Sequence, residues 1–175
     1  MHRPGSKKAA PPAPAWVLLT VKASRRALLK NQAKGYDGNK KVAGRKRHIV
    51  VDPCGYPMAI DVGSAAPHDS VAGKTVLSHL KDIFPRLQRV LGDSGYAGDL
   101  QTWFALNNKG CLLSVVKPPR NTKGFQVLQW RWIVERSFAW LGNYRRLSKD
   151  YEISTSSSIA FIQLAFTKIM LKSFA

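Results

Sequence analysis

Ten acidic residues stand in a chain of 175. Each can therefore be weighed singly as a proton acceptor or as an oxygen ligand for a hard cation. Asp93 has the most telling position. It follows Arg89 to Gly92, a short strand pattern, and precedes Ser94-Gly95-Tyr96-Ala97-Gly98. A carboxylate at the C-terminal edge of a strand in an α/β sheet faces the crevice where ligands bind. The glycines allow a phosphate or a second backbone to come close; the same residues also suit an ordinary turn. Glu135 is the second unusual acid. It lies among Arg131, Arg136, Arg145 and Arg146 in a long helical pattern. Arg131 is four positions before it, so both side chains project from one face. That spacing suits either a surface ion pair worth less than about 1 kcal/mol or a metal-binding carboxylate carried to Asp93 by a helix crossing the sheet. The other acids suggest structural roles. Asp37 and Asp52 sit in turn contexts, Asp99 suits a helix N-cap, and Asp69, after Pro67-His68, suits another. Asp61 is on a strand within reach of Lys or Arg, while Asp82 and Asp150 read as solvated.

Basic residues outnumber these acids. Lys and Arg total 28, giving a net charge of +18, and self-repulsion of that size is usually tolerated because the partner is a polyanion. Lys40, Lys41, Arg45, Lys46 and Arg47 form one cluster; Arg145, Arg146 and Lys149 form another. Basic side chains without interleaved carboxylates are the expected footprint for phosphates, although Lys also guards exposed strand edges. Trp130, Trp132 and Trp140 have helical spacing, which suits core packing better than base stacking. His48, His68 and His79 have no Cys or His at zinc-ligand spacing. Two cysteines, Cys54 and Cys111, exclude a disulfide scaffold. The most apolar stretch, Ile159 to Ala175, is short and carries Gln163, Lys168 and Lys172, so a membrane span is not expected.

These residues need elements to hold them. Residues 1–15, basic and rich in Pro and Ala, predict a disordered tail rather than a signal peptide, because Trp16 to Leu19 is too short for an apolar core of roughly 7–15 residues. Trp16 to Val21 predicts a short strand. His48 to Val51 and Tyr56 to Val62, separated by Asp52 to Gly55, predict a β-hairpin. Ser70 to Ile83 has helical period and ends at Pro85. Arg89 to Gly92 is a strand, Asp99 to Asn108 a helix and Cys111 to Val116 a strand ended by Pro118-Pro119. Gln126 to Leu147 and Ile159 to Phe174 predict two further helices. With antiparallel strands first and alternating strand–helix units after them, the order favours an α/β fold in which helices cover a mixed sheet.

Three segments in this order, KGYDGNKKVAGRKRHIVVDPCG, FPRLQRVLGDSGYAG and RWIVERSFAWLGNYRRLSKDYE, resemble the catalytic part of bacterial DDE-type insertion-sequence transposases. The resemblance runs from about Thr20 to Phe174. It implies an RNase H-like mixed β-sheet flanked by helices over residues 16–175. It also implies DNA as partner, at transposon ends and target, and two Mg²⁺ or Mn²⁺ ions held by three acids. The second Asp of the triad falls on Asp93 and its Glu on Glu135, with the associated Arg on Arg131, which joins the two basic clusters as a DNA contact. A bacterial cytoplasm, at the nucleoid, is the implied compartment. A homodimer or association with an intact transposase is the implied assembly.

The sequence departs from the pattern at Val17, where the first Asp of an Asp-Ser-Gln-Thr-Val-Lys segment belongs; only Thr20, Val21 and Lys22 match. Leu128 replaces a Tyr and Gly142 a base. An alkyl side chain cannot ligate a cation. The sequence therefore predicts a truncated or frame-shifted copy that has lost strand transfer, or one in which Asp52 or Asp61 substitutes. Three classes follow: a metal-dependent transposase, a DNA-binding remnant without catalysis, and a basic RNA-associated protein with no convergence of acids.

Overall fold

The computed structural model describes residues 16–25, 35–38, 41–78, 80–108, 110–116 and 130–174. The predicted tail, Lys40, His79 and Leu128 lie outside them. Six strands form one mixed sheet: β1 (Trp16–Arg25), β2 (Gly35–Asp37), β3 (Val42–Val51), β4 (Pro57–Ser64), β5 (Arg89–Gly92) and β6 (Leu112–Val115). β3 lies antiparallel to β1, and β4 antiparallel to β3. β5 is parallel to β1, and β6 to β5. The short β2 pairs with the start of β3, so the sheet runs β4-β3-β1-β5-β6.

Five α-helices complete the described chain: α1 (Asp69–Leu77), α2 (Leu80–Ile83), α3 (Asp99–Asn107), α4 (Arg131–Gly142) and α5 (Thr155–Phe174). Strand alternation sorts their packing. Val17, Leu19 and Val21 of β1 join a core with Leu77, Leu100 and Phe104 of α1 and α3. Leu18 of β1 joins the opposite core with Ile133, Phe138 and Ile162 of α4 and α5. The sheet therefore has apolar residues on both faces and a helical layer over each. No helix among the described residues is long and apolar enough to cross a membrane.

The hairpin, the β5 strand and the order of elements match the sequence reading; several boundaries differ. The helix expected over Ser70 to Ile83 breaks after Leu77 into α1 and α2. His68, not Asp69, caps α1, its Nδ1 accepting from Ser70 N–H at 3.3 Å. Gly98, at φ 90°, is the N-cap of α3, and Asp99 is the first helical residue. Gly98 has no side chain to accept a helix N–H; its carbonyl accepts Gln101 N–H at 2.9 Å, and its own N–H donates to Gln101 Oε1 at 3.3 Å.

The largest correction concerns the run Arg45-Lys46-Arg47, expected as an exposed phosphate-binding cluster. It forms the middle of β3 and is buried: Arg45 is 0%, Lys46 4% and Arg47 5% exposed. Buried cations require acceptors, and the fold supplies them. Arg45 pairs with Asp150 at 3.2 Å and donates to the carbonyls of Glu152, Ile153 and Ser154. Arg47 donates to the carbonyls of Leu147 (2.8 Å) and Lys149 (3.1 Å). On the opposite face Lys46 holds Asp69 at 2.8 Å and Asp37 at 3.4 Å. Asp150, expected in solvent, is 1% exposed for the same reason.

Candidate functional site

Asp93 closes β5. Its carboxylate accepts Gly95 N–H at 2.9 Å and caps a 3₁₀ turn over Ser94–Tyr96. The capped turn aims the side chain off the sheet edge, where it is exposed. Gly95 is crowded: a Cβ there would lie 3.1 Å from both Asp69 Oδ2 and Asp93 Oδ1, so those carboxylates would have to shift. Tyr96 follows, fully buried, and its hydroxyl meets His48 Nδ1 at 2.9 Å. Burial, with Asp69 and then Asp93 nearby, pushes the Tyr96 hydroxyl well above the usual tyrosine range.

Glu135 lies on the first two turns of α4. The buried residues of that helix are Ile133, Val134, Ser137, Phe138 and Leu141, so Glu135 falls at the margin of its packed face. It pairs with Arg131 at 3.1 Å, both side chains being 64% exposed. Two grips set the helix along the sheet. Ser137 Oγ donates to the carbonyl of Gly55 at 2.8 Å, and Arg136 donates to that of Cys54 at 2.7 Å. Both acceptors belong to the turn between β3 and β4, whose Gly55 has φ +89°.

A cavity of about 380 Å³ brings the two acids to one place. Its walls are β1 from Leu18 to Lys22, the end of β5 with Asp93, Val116, and α4 with Arg131, Val134, Glu135 and Phe138. Asp93 and Glu135 therefore line one cavity, although 42 positions separate them in the chain. Lys22 is a cation of this cavity that the sequence reading did not select; its Nζ lies 5.6 Å from the Phe138 ring centroid. The match at Thr20-Val21-Lys22 was the available signal.

Val17 does not face this cavity. It is fully buried in the other core and pairs with Val90 on β5. Neither Asp52 nor Asp61 reaches the cavity. Asp52 accepts Tyr56 N–H at 2.8 Å within its own turn. Asp61 stands opposite His48 on β4, and burial raises its carboxyl above the usual range. Among the described residues no group of three or more His, Cys, Asp or Glu converges in a way that could hold a metal ion. The pair of divalent ions that the resemblance implies needs three acids, so the residues present do not fit it.

The remaining predicted DNA contacts divide. Arg131 is in the cavity and Lys41 is exposed. Arg145, Arg146 and Lys149 are exposed around the 3₁₀ turn after α4. Arg146 also pairs with Glu152 at 2.8 Å. Arg45, Lys46 and Arg47 are enclosed and present no charge to a phosphate. Trp132 and Trp140 both stack on Arg136, at 4.7 and 4.9 Å from the guanidinium.

Residues 10–168 match the model of the family described as "Transposase DDE domain". A Burkholderia cepacia protein named "Putative transposase for insertion sequence element IS402" is 31% identical over 132 residues, which are 69% of this chain and 60% of that relative. The chain thus matches less than two thirds of the relative's length.

Proposed function

The chain belongs to the DDE transposase family, and from that premise we propose that it acts on DNA in the transposition of an insertion sequence, with impaired phosphoryl transfer. The observation that carries this reading is the cavity shared by Asp93, Glu135, Lys22 and Arg131. A phosphodiester in such a cavity meets cations for its non-bridging oxygens and carboxylates that can accept a proton from an attacking hydroxyl. The sheet order β4-β3-β1-β5-β6, antiparallel then parallel, supports an RNase H-like fold. The exposed cations Arg145, Arg146 and Lys149 supply further phosphate contacts.

Impairment follows from the β1 wall, which offers Leu18, Leu19, Thr20 and Val21 and no carboxylate. That same observation favours a second reading, a remnant that binds DNA without cleaving it. Both are tested by gel retardation and strand-cleavage assays of the full chain with a duplex carrying insertion-sequence ends. Retardation at low salt is expected for both. Slow cleavage abolished by Asp93→Asn and by Glu135→Gln supports the enzyme; retardation alone supports the remnant. Absence of retardation at low salt refutes both.

A further inference from the structure

We infer that the Asp93–Glu135 cavity takes up no divalent cation in this chain, and that Thr20 is the position at which the missing carboxylate would complete the site. Three observations lead there. First, all ten acids of the sequence fall at described positions, and only Asp93 and Glu135 line the cavity. Asp37 and Asp69 are held by Lys46, Asp150 by Arg45 and Glu152 by Arg146. Asp52 caps its turn, Asp61 stands on β4, and Asp82 and Asp99 belong to α2 and α3. Asp69 comes near Asp93, its Oδ2 and Asp93 Oδ1 each lying 3.1 Å from the Gly95 Cβ position, but it is taken by Lys46 and does not line the cavity.

Second, the charged side chains that line the cavity itself balance. Its two carboxylates face Lys22 and Arg131, and Arg131 already engages Glu135 at 3.1 Å. A dication entering a site without net negative charge gains little to offset the loss of its hydration.

Third, the strand register identifies the position. β1 and β5 pair Leu18 with Leu91 and Leu19 with Gly92, so Thr20 and Asp93 are the residues that follow the last pair on the two strands. Leu18 and Leu91 both pack into the α4–α5 core. Side chains alternate along a strand, so Thr20 shares the face of Leu18, and Thr20 and Asp93 both line the cavity beside α4. Val17, where the family pattern would put the acid, is on the opposite face with 0% exposure.

The inference rests on the proposed function only for its interest, since cation binding is measured without DNA. The test is Mn²⁺ binding to the full chain by calorimetry and electron paramagnetic resonance, with circular dichroism to check folding. The wild type is expected to show no saturable site. Thr20→Asp is expected to show a saturable Mn²⁺ site, lost when Asp93→Asn is added. Thr20→Cys, nearly isosteric, covers the case in which the acid unfolds the chain. It is expected to give a thiolate–Cd²⁺ absorbance above the wild-type background, lowered by Asp93→Asn. Val17→Asp is expected to lose the native dichroism without gaining Mn²⁺. Wild-type Mn²⁺ binding abolished by Asp93→Asn overturns the inference. So does a folded Thr20→Asp that binds no Mn²⁺, or a Val17→Asp that does. Gel retardation of the same samples reports separately on the DNA reading.

Discussion

Asp61 shows what a single half-buried carboxyl does to the protein as pH changes. Its folded value is raised above 3.8 by burial, so between the unfolded and folded values the native state keeps a proton that the unfolded chain has lost. Stability attributable to Asp61 therefore falls as pH rises through that window. Asp61→Asn is expected to melt higher than wild type near neutral pH, with the advantage vanishing below about pH 3.8, as followed by thermal melts across a pH series. An unchanged difference at all pH values would count against the desolvated carboxyl. Asp93 and Glu135 were legible in the sequence because each breaks a local rule, an acid at a strand end and an acid inside a basic helix. Thr20 was not legible. A lone hydroxyl carries no signal until a neighbouring strand fixes which residue it faces.

At the scale of elements, β3 differs most from what its residues suggest. A run of alternating apolar positions announces a strand, but Arg45-Lys46-Arg47 hides one, because the acceptors for Arg45 and Arg47 come from the segment Leu147–Ser154 and those for Lys46 from Asp37 and Asp69. Only tertiary structure supplies them. The consequence is measurable. Arg45→Leu leaves Asp150, 1% exposed, without its partner, and is expected to cost about 3–5 kcal/mol in urea unfolding. Arg146→Ala also breaks an ion pair, but Arg146 is 59% exposed, and its loss is expected to stay below about 1 kcal/mol. Equal losses would mean that the buried pair is not what secures the strand. The hairpin, β5 and α5 were readable because period and turn residues agree there. The α1–α2 break and the ends of α4 were not, since breaks within a continuous helical pattern depend on what the helix packs against.

Across the whole molecule, the net charge of +18 is not a measure of how much of the protein faces a polyanion. Three of its cations are consumed inside β3. The exposed set Arg145, Arg146 and Lys149 is a better guide. Replacing all three with Ala is expected to flatten the slope of log K against log salt by about 2–3, measured by fluorescence anisotropy with duplex DNA, while leaving the melting curve nearly unmoved. No change in slope would place the DNA elsewhere on the surface. The clasp between β3 and the segment before α5 has a further consequence, for biosynthesis. Arg45 and Asp150 are 105 residues apart, and a ribosome adds about 5–20 residues per second. For on the order of ten seconds, a nascent chain emerges with β3's guanidinium groups still in water. The clasp on β3 cannot close until the segment just before the last helix has been translated, and the ribosome's own RNA is the nearest polyanion while it waits.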